Sequence, residues 1–281
     1  MDSALNLPAL LRRYGLRPDR RLGQNFLVSA SALRRVVAAA ELRGDEAVLE
    51  IGPGVGSLTR LLAQRARRVV AVELDARLQP ALEEVLRPYA NVRLVFGDVL
   101  QHDPAGLMGG EPYVVVANIP YYITSAVIRH LLTAAARPQR VVLTVQREVA
   151  QRIAATPPHM SLLALSVQVF GQPRIAARIP GGAFYPRPKV DSAVVRVEIF
   201  PQPRIPEAHL SAFFRLAKAG FAQRRKTLRN ALAAGLGCAP SEAEGLLRAA
   251  EIAPTRRAET LKLEEWAVLT AAFLQKQNSP T

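Results

Sequence analysis

From residue 47 to residue 145 the chain alternates short, almost uninterrupted apolar runs with stretches of helical spacing, and this limits the fold more than any other feature. The runs cover residues 47–51, 69–73, 92–96, 113–117 and 140–145; residues 58–65, 76–86 and 125–136 carry apolar positions at helical intervals between them. A strand that is apolar throughout must be covered on both faces. Such strands, separated by helices, are expected in a parallel sheet with helices packed on each side, an α/β fold. Two later runs, 162–170 and 193–200, read as further strands that close one edge. Upstream, a helical pattern covers residues 31–41, with Ser31 as its expected N-cap.

Residues 201–206 read Pro-Gln-Pro-Arg-Ile-Pro, which stops regular structure and marks a linker. Beyond it only helical patterns follow, at 207–221, 226–235, 241–249 and 262–277. The expected organisation is therefore an α/β domain over 1–200 and a small all-helical domain over 207–281. The formal net charge is +14. A chain this basic expects a polyanionic partner, nucleic acid above all. Positive charge is dense in Arg215, Lys218, Arg224, Arg225, Lys226 and Arg229, with no acid among them, and in the N-terminal arginines Arg12, Arg13, Arg17, Arg20 and Arg21. Such surfaces neutralise phosphates without reading sequence. The one cysteine, Cys238, excludes an internal disulfide and a cysteine-based zinc site, and is expected as a small buried residue. The four histidines lack metal-ligand spacing, so no metal is expected. No apolar run reaches the ~18–20 residues that span a bilayer. With no secretory pattern at the N-terminus, the expectation is a cytoplasmic protein without membrane contact.

The first strand runs into Glu50-Ile51-Gly52-Pro53-Gly54-Val55-Gly56. Glycines at a strand–helix turn let backbone approach a ligand, and the following helix offers its N-terminus. The glycine spacing is not the G-x-G-x-x-G of dinucleotide enzymes, which disfavours a nicotinamide oxidoreductase. Glu73 ends the second strand ~20 residues later, where an acid can accept hydrogen bonds from ribose hydroxyls. Asp98 follows the third strand and can receive the amine of an adenosyl group. Three such features at neighbouring strand ends outline one ligand crevice, and the arrangement resembles the class I S-adenosylmethionine methyltransferases.

After the fourth strand comes Asn118-Ile119-Pro120-Tyr121-Tyr122. An adenine amine is a poor nucleophile because its lone pair is delocalised into the ring. The Asn118 side-chain oxygen and the carbonyl of Ile119 or Pro120 can accept its two hydrogens and align it. Tyr121 can stack on an extruded base. A second element, Phe184-Tyr185-Pro186-Arg187-Pro188-Lys189-Val190-Asp191-Ser192, is stiffened by prolines. It can offer Phe184 as the other wall of a base sandwich, with Arg187 and Lys189 reaching phosphates.

Taken with Leu22-Gly23-Gln24-Asn25-Phe26-Leu27 and Gln223-Arg224-Arg225-Lys226-Thr227-Leu228-Arg229-Asn230, these motifs recur in order over most of the chain. They resemble the bacterial small-subunit ribosomal RNA adenine dimethyltransferases, the family linked to kasugamycin sensitivity. The resemblance implies a Rossmann-like, mostly parallel seven-stranded sheet. It implies transfer of two methyls from S-adenosylmethionine to each of two adjacent adenosines near the RNA 3′ end. By the same resemblance Asn25 and Leu27 line the cofactor site with Gly52, Gly54, Glu73, Asp98 and Asn118. It further implies that residues 1–30 are an RNA-contacting arm and that Arg224, Arg225, Lys226 and Arg229 hold RNA. The implied substrate is small-subunit ribosomal RNA in a pre-ribosomal particle, and the implied state a monomer. Tyr122 is a departure, since Asn often occupies that position in the family. Two rival readings remain open: a macrolide-resistance dimethylase of large-subunit RNA, and a non-catalytic assembly factor of the same fold.

Overall fold

A computed structural model describes residues 5–278 of the chain. Residues 1–4 of the expected arm and 279–281 of the expected helical domain lie outside the described residues. Seven strands form one sheet: β1 Ala47–Ile51, β2 Arg68–Glu73, β3 Val92–Phe96, β4 Tyr113–Asn118, β5 Arg140–Gln146, β6 Gly171–Ile179 and β7 Ser192–Ile199. Their spatial order is β3-β2-β1-β4-β5-β7-β6. β1 runs parallel to β2 and β4, β2 to β3, and β4 to β5, while β7 is antiparallel to β5. The mostly parallel α/β sheet expected from the apolar runs is present. The helices between residues 5 and 199 are α1 Leu7–Arg13, α2 Ala30–Ala40, α3 Thr59–Ala63, α4 Gln79–Leu86, α5 Pro104–Met108, α6 Thr124–Leu132, α7 Arg147–Ile153 and α8 Leu162–Gln168.

Every residue of β1 is buried, as a strand covered on both faces requires. On one face Leu33, Val36 and Val37 of α2 join Leu61 and Leu62 of α3 over Val48, Val69, Val114 and Val142. The α2 helix starts from Ser29, whose Oγ accepts the Ala32 N–H at 3.4 Å. The expected cap, Ser31, is instead inside the first turn, because the chain is still extended at Ser29 and already helical at Ala30. At the other end, two orphan carbonyls meet arginines from the sheet. Arg140 Nη1 donates to Ala40 O at 2.5 Å and Arg196 Nη1 to Ala39 O at 3.1 Å. Cations there also complement the helix dipole.

Two expectations are corrected. Residues 162–170, read as a strand, form α8, and the edge strand is β6, one segment later. A short apolar run suits a buried strand or a buried helix equally. Here Ser161 decides for helix, its Oγ accepting the Ala164 N–H at 3.1 Å. β6 has no apolar run to mark it, because it carries Pro173, Arg174 and Arg178, the polar and proline-bearing character of an edge. The run at 193–200 is a strand, but it lies between β5 and β6 rather than at the rim.

The chain divides into two compact units. The first comprises residues up to 150 together with 173–199 and holds the sheet; the second comprises 151–172 and residues from 200 onward. Segment 151–172, expected in the first domain, groups with the helical one. Within the second unit, α9 Leu210–Phe221, α10 Leu228–Leu236, α11 Pro240–Ala249 and α12 Leu263–Asn278 surround buried Phe213, Leu216, Leu232, Leu247 and Trp266. Cys238, expected buried, is half-buried, since it follows the Gly237 cap at the exposed end of α10. Among the described residues no group of His, Cys, Asp and Glu could hold a metal ion, and no helix is long and apolar enough to cross a membrane.

Candidate active site

The strand order reverses between β1 and β4, and loops at such a switch point part to leave a crevice. The crevice and the open solvent at its mouth together span about 1030 Å³. It is lined by the segments that follow β1, β2, β3 and β4, and by residues 22–27. Gly52 and Gly54 line it from the first turn with φ of +70° and +61°. A Cβ on Gly54 would lie 2.8 Å from Cδ1 of Phe26, so only glycine fits. The Gly54 N–H donates to Glu73 Oε2 at 2.9 Å, and the Asp75 N–H donates to Oε1 at 2.8 Å. Each carboxylate oxygen has further acceptor capacity, so Glu73 can still receive two hydroxyls. Burial pushes its carboxyl pKa up, against the opposing pull of the backbone N–H groups of Asp75, Gly54 and Leu74. Asp98 caps the turn after β3, its Oδ1 accepting the Leu100 N–H at 3.0 Å, which leaves Oδ2 for a ligand.

Residues 22–27 form the side wall. Gln24 ties them down: its Nε2 donates to Asp75 Oδ2 at 2.8 Å, and its Oε1 accepts the Asp19 N–H at 2.8 Å. Arg77 grips the same Asp75 through Nε and Nη2, each at 2.7 Å, and holds that carboxyl below the usual range. The Asn25 carbonyl accepts from Asn118 Nδ2 at 3.1 Å. The Asn118 nitrogen is thereby spent on the protein, and the amide oxygen is the atom left to accept from a substrate. The Pro120 carbonyl accepts the Ile123 N–H at 3.2 Å, which favours Ile119 as the backbone acceptor beside it. Tyr121 lines the crevice, and its hydroxyl lies 2.7 Å from the Oγ of fully buried Ser192.

Phe184 is not brought to the crevice. It is 4 % exposed and packs with Leu33, Val36 and Ile179. The cause is a short antiparallel pair in which Leu27 faces Phe184 and Phe26 faces Tyr185. Alternation along the strand turns Phe184 inward and Tyr185 outward. Leu27 lines the crevice from the same pair and shares that core.

A family model described as ribosomal RNA adenine dimethylase matches residues 16–269. The chain belongs to that family. The dimethylase is 48% identical over 268 residues to the ribosomal RNA small subunit methyltransferase A of Dehalococcoides mccartyi, covering 95% of this chain and 92% of the relative. Among solved structures it is similar to the 23S rRNA methyltransferase ErmE, with a TM-score of 0.72, 30% identity and coverage of 88% and 99%. It shares its fold with a dimethyladenosine transferase from Plasmodium falciparum, with a TM-score of 0.74, 23% identity and coverage of 89% and 97%.

The expected RNA contacts of the dimethylase fare unequally. Arg187 and Lys189 are exposed on the loop before β7. Arg225 and Lys226 are exposed in the second unit, as is Arg224, which approaches Glu259 at 3.7 Å. Arg229 is paired with Glu244 at 3.2 Å and is not a free cation. The stretch itself holds no acid, but the fold supplies two from α11 and the loop before α12.

Glu50 lines the crevice unassigned by the sequence reading, although an acid inside an otherwise apolar strand was a visible signal. It is 1 % exposed and its Oε2 has no hydrogen-bond partner. Burial pushes its carboxyl from 4.5 up to about 8, with the Glu73 charge adding to the rise. The folded dimethylase therefore keeps Glu50 protonated where the unfolded chain ionises it. Stability should fall by roughly 1.4 kcal/mol per pH unit between those two values, from this group, and level off above. Replacement by Gln should remove that slope. Denaturant unfolding of both forms from pH 5 to 9 tests it, and parallel curves would refute it.

Proposed function

We propose that this dimethylase uses S-adenosylmethionine to dimethylate two adjacent adenosines near the 3′ end of small-subunit ribosomal RNA. The observation that carries the choice of RNA is the 48% identity to a small-subunit methyltransferase, against 30% to a 23S enzyme. The reading places the chain in the cytoplasm, as a monomer acting on a pre-ribosomal small-subunit particle. It gives Arg187, Lys189, Arg224, Arg225 and Lys226 the phosphates, together with the N-terminal arm.

The crevice fits the cofactor in chemistry. Gly54 forms a cradle that any Cβ would fill, Glu73 keeps acceptor capacity for two ribose hydroxyls, and Asp98 Oδ2 is available for the adenine amine. When bound, S-adenosylmethionine supplies an electrophilic methyl on a sulfonium. The protein's part is to hold and orient the amine. Asn118 Oδ1 and the Ile119 carbonyl accept its hydrogens, favour a pyramidal nitrogen whose lone pair is no longer shared with the ring, and disperse the charge that grows on nitrogen. The alkylated amine sheds its proton to water, so no general base is required.

The test is methylation of unmethylated small-subunit particles and of large-subunit RNA side by side, with mass spectrometry of the RNA. Dimethyladenosine in the small-subunit RNA is expected. Product in large-subunit RNA alone would establish the resistance-type reading instead.

A further inference from the structure

Tyr122 is 61 % exposed, the most exposed large hydrophobic side chain among the described residues, yet it lines the crevice. Its ring rests on backbone. A Cβ on Gly23 would lie 3.2 Å from both Cδ1 and Cε1 of Tyr122, and 3.1 Å from Cβ of Pro120. Gly23 has a φ of +61°, so glycine both permits the turn and clears the floor under the ring. The tyrosine is thus held on one side and open to solvent on the other. Directly before this floor stand Arg20 and Arg21, both exposed. Among the described residues, neither guanidinium meets an acid or any other partner. The Gly23 N–H donates to the Arg20 carbonyl at 3.1 Å, so the turn that seats the ring begins at these arginines. An exposed aromatic ring lining a crevice, seated on a turn that brings in exposed cations, is the composition of a single-strand nucleic-acid subsite.

We propose that Tyr122, seated on Gly23 and flanked by Arg20 and Arg21, stacks on the nucleobase next to the target adenine. The inference rests on the reading of the crevice as the adenine methylation site. Drawing a base out of its strand leaves the neighbouring base with an unstacked face. Tyr122 covers that face at small entropic cost, because its ring is already seated. Arg20 and Arg21 hold the adjoining phosphates. Tyr121 has a different task, since its hydroxyl is anchored to Ser192 and its ring lies farther in. Where two adjacent adenines are modified in turn, the subsite holds one while the other is in the crevice.

The experiment measures methylation of unmethylated small-subunit particles by wild type, Tyr122→Ala, Tyr122→Phe and Tyr122→Trp, with cofactor affinity read separately by calorimetry. Tyr122→Ala is expected to lower kcat/KM for particles roughly 10- to 100-fold, mainly through KM. Cofactor affinity should stay within about twofold of wild type, while Phe and Trp restore the particle KM. Ring packing alone would instead weaken cofactor binding, because Gly23 lines the same crevice, and the larger Trp would not rescue it. Replacing Arg20 and Arg21 by Gln should flatten the salt dependence of particle binding by about one unit of slope each. Wild-type kcat/KM in Tyr122→Ala, or failure of Phe to rescue, would overturn the subsite. A wild-type chain that methylates no adenine in particles would overturn the functional reading itself, a different outcome.

Discussion

Replacing Asn118 by Ala is expected to lower the rate of methyl transfer about 10²–10³-fold while RNA affinity stays within about twofold. The magnitude is that of removing one preorganised polar group from a site where charge develops in the transition state. The geometry makes the assignment sharp. Asn118 stands at the end of β4, and its Nδ2 is bound to the Asn25 carbonyl at 3.1 Å. The side-chain oxygen is therefore presented without any rearrangement when an amine arrives. Asn118→Asp should be nearly as damaging, because a carboxylate cannot donate to the Asn25 carbonyl and is repelled by it. Single-turnover transfer on small-subunit particles, with particle binding measured apart, is the check. Near wild-type transfer by the Ala variant would remove Asn118 from the chemistry and leave the alignment of the amine to backbone carbonyls.

The second large effect is on cofactor affinity. Glu73→Ala should weaken it about 10²-fold or more, since hydrogen bonds to a charged group contribute roughly 1.5–3 kcal/mol each. The loss has two parts. The ribose acceptor disappears, and the N–H groups of Gly54 and Asp75 lose their buried partner, which loosens the glycine turn. Glu73→Gln keeps one acceptor oxygen and should fall between the two. Calorimetric titration with cofactor reads the effect, and unchanged particle binding by the same protein shows that the fold has survived. If Glu73→Ala binds cofactor as wild type does, the ribose contact lies elsewhere in the crevice.

Much of the crevice could be read from sequence because its parts sit at strand ends. An apolar run followed by Gly52, Glu73, Asp98 or Asn118 places each of them at the carboxyl edge of the sheet, and a parallel sheet brings those edges together. What escaped was set by contacts distant in the chain. Phe184 has the residue type of a base-stacking wall, but its register with Leu27 turns it into the core. Gln24 and Asp75 are 51 residues apart, and Tyr121 and Ser192 are 71 apart. No local pattern announces such pairs. The same holds for Arg229, whose charge is answered by Glu244 from the next helix. The misread strand at 162–170 was an ambiguity of period, resolved by one serine hydroxyl. Glu50 was legible in type but not in state, because its protonation depends on how completely the sheet closes over it.

The pairing of Phe26–Leu27 with Phe184–Tyr185 has a consequence for how the molecule is made. A ribosome delivers the glycine turn, Glu73, Asp98 and Asn118 well before it delivers residues 184–192. The parallel core can condense around β1, β2, β3 and β4 while the side wall of residues 22–27 still lacks its partner strand and Tyr121 still lacks Ser192. Pairings so remote in sequence form late, because a long loop must close before they contribute. The strand-end part of the pocket is thus synthesised as a scaffold, and its side wall is fastened afterwards. A nascent chain halted short of residue 184 would carry the cofactor's cradle with its clasp undone.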